Sequence, residues 1–428
     1  MNILIISYEM IPYTNNWGGC QRVHYLANEL AKEHNVTVVS SQNTKIASKK
    51  VEKPQNYETV FMDNSLHVKL FDRTAPVSAV GNSGGKRKLR PSLLTGINDL
   101  LNTIFFNEPA KCGAIVSLWV WRHAKDILKS IESRNIDIVI ISMPPWSVAS
   151  LSMVRNIKRM GIKLIIDYRD PWNCWNDKKG FSLWKERKLL EYADRITVTN
   201  SNHKERLIKD YALPENIVSV IMNGYDAELW NTIEEYNYKP AGDILTLTFI
   251  GSISFSKDKG AMRNPYNLVQ AISELPFKEK LKLKIVGNYN EDVVKEVRSI
   301  IPHFEMIPFV PQRDSFIEMC KSDVLINLHV VEDGSSRYLI AGKIFDYYRS
   351  RTFILSINDT KSFEKKFIEE NQIGIFSTNK VEELKNTLTT IYDKWCNNSF
   401  NLKLNCEVPK RYSRQYQNTL YADLIKNI

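Results

Sequence analysis

The sequence contains no long apolar run and no dinucleotide-binding fingerprint. None of its apolar stretches approaches the roughly eighteen residues that a membrane-spanning helix needs, so we predict no transmembrane segment. The opening residues, MNILIIS, are apolar but short, and no basic residue precedes them, so they indicate a first β-strand rather than a signal peptide. No G-x-G-x-x-G follows a predicted strand, which argues against a nicotinamide-dependent oxidoreductase.

Cysteine is scarce and scattered. The chain has 6 cysteines among its 428 residues, and no two of them form a C-x-x-C pair. A zinc site or a disulfide framework needs cysteines at such short, regular spacings, so the sequence favours neither. Unpaired thiols are typical of a reducing compartment. We therefore expect a cytoplasmic protein.

Acidic residues are outnumbered by basic ones. Lysine and arginine total 58 against 48 aspartates and glutamates, which gives a net charge of +10 and a pI near 9.1. A positive protein attracts anions, so nucleic acid, an anionic membrane face and a phosphate-rich substrate all fit this balance. The basic residues are not gathered into one element that could enter a nucleic-acid groove. We expect no nucleic-acid partner.

The order of apolar runs predicts an α/β protein with two domains. A chain of 428 residues with 43% hydrophobic residues is long enough for two cores. Apolar strands alternate with amphipathic helices up to residue 226, and the alternation restarts at residue 245 after a polar stretch. We predict two doubly wound domains, residues 1–227 and 244–411, joined by a linker at 228–243 and followed by a C-terminal helix at 412–428.

The start of the chain predicts a strand, a loop, a helix and a second strand. The loop contains Gly18 and Gly19, the helix covers residues 21–33 and the second strand covers residues 36–40. Glycines at the carboxyl end of a first strand let backbone N–H groups approach an anionic ligand. An ordinary turn explains the glycine pair equally well.

Two carboxylates and an arginine follow the predicted strand at residues 163–166. They are Asp167, Arg169 and Asp170 in the stretch IIDYRDPW. Charged groups are expensive to bury without partners, so we expect them to face a cleft rather than a core. The alternative is a cluster of ion pairs on the surface.

Residues 84–106 combine a basic cluster with an amphipathic helix. The cluster GGKRKLR precedes apolar residues at helical spacing from residue 93 to residue 106. Basic residues beside an apolar helix face suit an anionic membrane surface, which predicts peripheral association with the inner face of the membrane. The alternative is a core helix with a solvated basic segment ahead of it.

The stretch RYLIAGKIFDYYRSRTFIL predicts a loop, a helix and a buried strand. Gly342 and Lys343 open the helix, and Asp346 lies three residues after Lys343 on the same side. A lysine at a helix start suits a phosphate, and a nearby carboxylate can accept hydrogen bonds from a ribose. The element could therefore hold a nucleotide. An ordinary αβ unit with a solvated ion pair is the alternative.

Several stretches, taken in order, resemble the GT-B nucleotide-sugar glycosyltransferases, specifically the large retaining group called family 4. The opening MNILIIS…WGGCQRVHYLANELAKEHNVTVVS resembles that group's first strand, glycine loop and helix. IIDYRDPW resembles its D-x-R-D-x-W signature, and IVSVIMNGYD resembles the V-I-x-N-G-x-D that ends its first domain. FIGSISFS…RNP and GKIFDYYRSRTFIL resemble its donor half, and the tail resembles its last helix.

The resemblance implies a fold and an activity. In the GT-B fold, two Rossmann-like domains face each other across a cleft, and the C-terminal helix packs back on the first domain. The implied reaction moves a sugar from a nucleotide-diphosphate sugar to a glycan or polyprenyl-linked acceptor in surface polysaccharide synthesis, with retention. No metal or other cofactor is expected, since no D-x-D-like pair stands at a strand end. A nucleotide-sugar epimerase on the same scaffold is the alternative.

The resemblance also implies residue roles. Catalysis falls to Arg263 and Lys343, which neutralise the departing diphosphate, and to Asp170, which orients the acceptor hydroxyl. Arg169 and Asp170 line the acceptor side. The residues implied to bind the donor are Gly18, Gly19, Gly251, Ser252, Arg263, Gly342, Lys343 and Asp346. The family usually has a second glutamate where Tyr338 stands, and a glutamate where Asp346 stands, so these two positions bear on donor choice.

Overall fold

Two parallel β-sheets with flanking helices make up the described part of the chain. In this computed structural model, the described residues are 1–14, 17–42, 55–64, 96, 100–107, 112–174, 180–233, 243–251, 253, 263–287, 291–329, 334–397 and 407–428. The backbone divides into two units. Met1–Met222 and Gln417–Ile428 form the first unit, and Asn223–Tyr416 forms the second.

The first unit is built on a seven-stranded sheet. Its strands are β1 (Asn2–Ile6), β2 (Asn35–Gln42), β3 (Glu58–Asp63), β4 (Ile138–Met143), β5 (Lys163–Tyr168), β6 (Arg195–Val198) and β7 (Val218–Val220). They are all parallel, in the order β3-β2-β1-β4-β5-β6-β7. The order reverses between β1 and β4, which is where the carboxyl ends of such a sheet form a ligand crevice.

Helices connect these strands, and the end of the chain adds one more. They are α1 (Trp17–Leu30), a π-helix (Asn102–Phe106), α2 (Gly113–Ser133), α3 (Leu151–Arg159), α4 (Phe181–Tyr192) and α5 (Ser201–Tyr211), with short 3₁₀ turns at Trp146–Val148 and Glu215–Ile217. The central strands are fully buried because helices cover both faces of the sheet, as in β4, where all six residues are buried.

The second unit contains a six-stranded parallel sheet. Its strands are β8 (Leu245–Ile250), β9 (Leu281–Val286), β10 (His303–Ile307), β11 (Val324–Leu328), β12 (Phe353–Ile357) and β13 (Gly374–Ser377). Their order is β10-β9-β8-β11-β12-β13, and every pair is parallel. This is the Rossmann strand order, with its switch point between β8 and β11.

The helices of the second unit follow the same alternation. They are α6 (Ala227–Asn231), α7 (Tyr266–Ser273), α8 (Glu291–Ile300), α9 (Gln312–Cys320), α10 (Lys343–Arg349), α11 (Phe363–Asn371) and α12 (Val381–Cys396), with 3₁₀ turns at Lys278–Lys280, Ser335–Tyr338 and Lys410–Tyr412. The last helix, α13 (Arg414–Lys426), belongs to the first unit from Gln417 onward. The predicted fold class of two Rossmann-like domains with a returning C-terminal helix is confirmed.

One local prediction is wrong, and one strand was not predicted. Gly18 and Gly19 lie in the first turn of α1, not in a loop before it. The first-turn N–H groups of a helix have no acceptor within the helix itself. The strand β3 falls in a stretch whose pattern indicated no element, because it pairs only with β2 at the sheet edge and most of its side chains are partly exposed.

The chain passes between the units after Met222 and again after Tyr416. The predicted domain ends at 227 and 411 each lie five residues from these crossings (227 against 222, and 411 against 416). Among the described helices, none has the length and apolar character of a membrane span.

Candidate functional site

Two glycines shape the carboxyl end of β8 in the second unit. Gly251 has a φ of +128°, and a Cβ at this position would lie 3.2 Å from Nζ of Lys343. Gly287 follows β9 with a φ of +152°, and a Cβ there would lie 2.3 Å from the carbonyl oxygen of Gly251. Both positions therefore require glycine, and the lysine ammonium lies directly beside the backbone turn.

The side chain of Lys343 is held over the end of β8. Its Nζ donates a hydrogen bond to the carbonyl oxygen of Ile250 at 2.6 Å. The same ammonium lies 3.9 Å from the ring centroid of Phe249, which is a cation–π distance. These contacts hold the head group of Lys343 at the carboxyl edge of the sheet, where ligands of doubly wound sheets bind.

Arg263 adds a second positive charge at this edge. It lies on the segment ahead of α7, is half-buried, and has a left-handed backbone with a φ of +61°. Burial lowers the pKa of Lys343 well below its usual value, and the neighbouring charge of Arg263 lowers it further. We call Arg263 and Lys343 the two-cation site. Two like charges held together favour a ligand with more than one negative charge.

Asp346 lies one turn along α10 from Lys343 and is buried. Its Oδ1 accepts a hydrogen bond from Nε1 of Trp230 at 3.0 Å. Burial raises the pKa of Asp346 to about 6, while Arg414 and the indole N–H act in the opposite direction. Trp230 is itself stacked on Phe316, with ring centroids 4.2 Å apart. The carboxylate is thus fixed in orientation but has few donors for its charge.

In the first unit, Asp167 is buried rather than open to solvent, so the expectation that it faces a cleft is wrong. The carboxylate accepts hydrogen bonds from Nη2 of Arg22 at 2.9 Å, from Ser142 at 2.8 Å and from Thr197 at 2.7 Å. Burial alone would raise the pKa of Asp167, but Arg22 and the hydroxyls hold it below its usual value. Partners from three other elements make the burial possible.

Arg169 and Asp170 follow β5, on the same loop. Arg169 is only 5% exposed, and its Nη2 donates to the carbonyl oxygen of Pro144. Its Nε and Nη1 contact no hydrogen-bond acceptor within the described residues. Asp170 is half-buried, and its carbonyl oxygen accepts from Nε1 of Trp146 at 3.4 Å. A guanidinium with unused donors and a partly open carboxylate are both suited to further polar contacts.

The remaining predicted residues are placed as follows. Gly18 and Gly19 lie in α1 of the first unit, and Ser252 lies outside the described residues. A Cβ at Gly342 would lie 3.8 Å from Nδ2 of Asn223, an ordinary contact, so that position does not require glycine. The structure brings Gly251, Arg263 and Lys343 together, with Asp346 one turn away.

Sequence reasoning missed residues that this site depends on. Trp230 binds Asp346 from 116 positions away, and Glu364 is a buried carboxylate whose charge acts on Lys343. Neither lies in a pattern that indicates such a partner. Gly287 did offer a signal, because it follows an apolar strand in the way that Gly251 does.

Two Rossmann-like units, with the C-terminal helix assigned to the first, are the architecture of the GT-B fold. Comparison with known proteins agrees: the model of Glycosyltransferase Family 4 matches residues 18–229. The family match lies in the N-terminal part of the chain, and with the two-unit fold it identifies a family 4-like glycosyltransferase of the GT-B fold. No curated protein sequence matches the chain significantly.

Solved structures match over the whole chain at low sequence identity. HepE from Anabaena, in complex with UDP and glucose, has a TM-score of 0.62 and 12% identity, with 100% of both chains covered. A glycosyltransferase from Rickettsia africae has a TM-score of 0.60 and 14% identity, covering 100% of this chain and 98% of the other. A putative UDP-N-acetylglucosamine 2-epimerase from Listeria monocytogenes has a TM-score of 0.56 and 13% identity, with 100% and 96% covered.

Proposed function

We propose that this glycosyltransferase uses a nucleoside-diphosphate sugar and that the two-cation site binds its diphosphate. The observation that carries the proposal is the place of the Lys343 ammonium beside Gly251, with Arg263 close enough for its charge to lower the pKa of the lysine. Like charges at this edge need an anionic ligand to offset their repulsion, and a diphosphate supplies more than one negative charge. The acceptor is a hydroxyl of a glycan or of a lipid-linked glycan.

The two cations act where charge develops during transfer. The bond between the anomeric carbon and the diphosphate oxygen breaks, and a bond from that carbon to the acceptor oxygen forms. Negative charge grows on the leaving oxygen, so fixed positive groups stabilise the transition state more than the ground state. The acceptor proton passes to the leaving diphosphate. We assign Asp170 to the orientation of the acceptor hydroxyl, Arg169 to acceptor binding, and no metal or other cofactor to the reaction.

Asp346 is our candidate for the ribose. Trp230 fixes one carboxylate oxygen, and the other accepts no hydrogen bond from a described residue. A ribose hydroxyl donating to that second oxygen would stabilise a carboxylate whose pKa burial has raised to about 6. HepE binds UDP and glucose, so uridine diphosphate and its glucose conjugate are the first ligands to test.

The proposal is tested by removing each cation. Lys343→Ala and Arg263→Ala should each weaken UDP binding by roughly 10- to 100-fold, since a hydrogen bond to a charged group contributes about 1.5–3 kcal/mol. Isothermal titration calorimetry measures the change. Lys280→Ala and Arg298→Ala remove exposed cations of the same unit and should bind as the wild type does. Unchanged affinity in both site variants would refute the diphosphate site.

Product analysis separates transfer from epimerisation. Epimerisation is the alternative reaction, because the fold is also similar to that of a putative 2-epimerase. We expect no change at C2 when UDP-N-acetylglucosamine is incubated alone, and an acceptor-dependent release of UDP from the correct donor. Proton NMR of the incubated sugar distinguishes the two. Formation of the 2-epimer without an acceptor would overturn the transferase assignment of this site.

We further propose that the first unit binds an anionic membrane surface, as a lipid-linked acceptor requires. Its described surface carries an aromatic patch made of Leu100, Ile104, Phe105, Phe181 and Trp184, each more than a third exposed. The rings of Phe105 and Phe181 lie 5.4 Å apart, and those of Phe181 and Trp184 lie 5.1 Å apart, so the three aromatic side chains form one cluster. Apolar and aromatic groups of this kind insert at membrane interfaces.

Vesicle binding tests this second proposal. Phe181→Ala with Trp184→Ala should reduce co-sedimentation with vesicles that contain anionic phospholipid. Trp121→Ala is the matched control, because this tryptophan is 78% exposed but lies outside the patch. Neutralising the basic cluster at 84–90, which lies outside the described residues, should have the same effect at low salt. Equal vesicle binding by the wild type and the double variant would refute membrane association through the patch.

A further inference from the structure

Glu364 is an enclosed carboxylate beside the two-cation site. It lies in the first turn of α11 and is 0% exposed. Its Oε1 accepts a hydrogen bond from the backbone N–H of Ala341 at 2.6 Å and contacts Nδ1 of His329 at 3.1 Å. Its Oε2 accepts from the amide nitrogens of Asn327 and Asn358, each at 2.8 Å. The charge is buried with four donors around it.

These four donors connect three parts of the second unit. Asn327 and His329 lie at the end of β11, Asn358 follows β12, and Ala341 lies two residues ahead of Lys343. An ionised carboxylate accepts about four hydrogen bonds and donates none, so Nδ1 of His329 must carry a proton. Glu364 therefore attaches the entry of α10 to the carboxyl ends of two strands, and α10 begins with Lys343.

The charge of Glu364 also acts on Lys343. Among the described residues, the ionisable groups that influence Lys343 are Arg263 and Glu364. Burial and Arg263 lower the pKa of the lysine, whereas Glu364 raises it. Burial works against the charge of Glu364 as well, but His329 and the donated hydrogen bonds hold the pKa of this carboxyl below its usual value. The lowered pKa favours the ionised form of Glu364, whose negative charge acts on Lys343.

We propose that Glu364 is a positioning residue of the two-cation site, which fixes the backbone ahead of Lys343 through Ala341 and offsets the positive charge of the lysine. The proposal depends on the proposed function only for the identity of the ligand, a nucleoside diphosphate. A merely structural role would predict a loss of stability on substitution without any change in the titration of Lys343. The charge role predicts that removing the charge of Glu364 changes the titration of Lys343.

A titration of Lys343 without ligand tests the link directly. The ¹³Cε signal of Lys343, identified by its loss in Lys343→Ala, reports the charge of the ammonium as pH rises. We expect a midpoint at lower pH in Glu364→Gln than in the wild type. Glu370→Gln, an exposed change on the same helix, should leave the midpoint in place. An unmoved midpoint in Glu364→Gln would overturn the proposal.

UDP titrations at different pH values provide the functional readout. As pH rises, UDP affinity should fall at lower pH in Glu364→Gln than in the wild type, and each pH unit of displacement weakens binding about tenfold above the midpoint. Glu364→Asp keeps the charge and should keep the midpoint. An aspartate variant that titrates like the glutamine variant would contradict the charge role.

The outcomes for Glu364 and for the proposed function can be told apart. If the wild type does not bind UDP at any pH, the proposed function fails, and the ligand-free titration still decides the role of Glu364. If Glu364→Gln does not fold, the wild type and Glu364→Asp decide it. A midpoint of Lys343 that is displaced in Glu364→Asp would then overturn the proposal.

Discussion

Asp346→Asn should make the second unit more stable and the donor site weaker. The substitution removes a buried charge but keeps an oxygen that can accept the hydrogen bond from Trp230, which is 3.0 Å long in the wild type. Burial raises the pKa of Asp346 from its ordinary value of 3.8 to about 6. That difference corresponds to about 3 kcal/mol of lost stability when the group is ionised. Asparagine carries no such penalty.

The pH dependence of this effect has a definite sign. At a pH between about 4 and about 6, the native protein holds a proton on Asp346 that the unfolded chain releases, so the wild type loses stability as pH rises through that range. Asp346→Asn lacks this loss. The stability difference between variant and wild type should be near zero below about pH 4, grow to pH 6 and then remain constant.

Calorimetry and UDP titration together provide the assay. Scanning calorimetry near neutral pH should show a rise in Tm of roughly 6–12 °C for the second unit in Asp346→Asn, given about 2–4 °C per kcal/mol for a domain of this size. UDP should bind roughly 10- to 100-fold more weakly, because a charged acceptor for the ribose is lost.

Asp323→Asn is the matched control. This aspartate is buried, has its pKa raised to about 6 by burial, and accepts one backbone hydrogen bond, from Thr246 at 2.7 Å. It precedes β11, at the amino edge of the sheet, away from the edge where ligands bind. It should gain comparable stability and keep its UDP affinity. No gain in Asp346→Asn, or an equal affinity loss in Asp323→Asn, would refute the reasoning.

Two further substitutions test the packing of each unit. Arg22→Met should destabilise the first unit by about 3–5 kcal/mol in urea denaturation, because Asp167 loses its buried cation, and Asp167→Asn in the same chain should recover part of the loss. An unchanged midpoint in Arg22→Met would show that this pair contributes little. Gly287→Ala should destabilise the second unit and weaken UDP binding, since its Cβ would lie 2.3 Å from the oxygen of Gly251. Wild-type values of both would contradict the close approach.

The strands were predictable from the sequence because buried parallel strands carry continuous apolar runs. The largely apolar stretches NILII and LTLTFI became β1 and β8, each an interior strand of its sheet. The edge strand β3 was missed, since its pairing on one side and its partial exposure leave a weak apolar pattern. The buried strands were therefore easier to predict than the edge strand, because a strand covered on both faces has few positions that can be polar.

Some residues of the candidate site were predictable from the sequence and others were not. Lys343 and Asp346 were predictable because they share one short helix with a family-like pattern. Their partners were not, because Trp230 lies 116 positions from Asp346 in the chain and Arg22 lies 145 positions from Asp167. Local periodicity contains no information about such contacts, which form only when strand order brings distant loops to one edge. The burial of Asp167 was mispredicted for this reason.

The number of hydrogen-bond donors separates three buried carboxylates of the second unit, Glu364, Asp346 and Asp323, by role. Glu364 has four donors, and its pKa is lowered despite burial, so it is complete without a ligand. Asp346 has one donor, and its pKa is raised, so it can still gain from a ligand that donates to it. Asp323 is equally poor in donors but lies at the opposite edge of the sheet. The small number of hydrogen-bond donors and the position at the carboxyl edge of the sheet together single out Asp346. A buried carboxylate with so few donors costs stability, and positions where a fold tolerates such a cost are where function is expected.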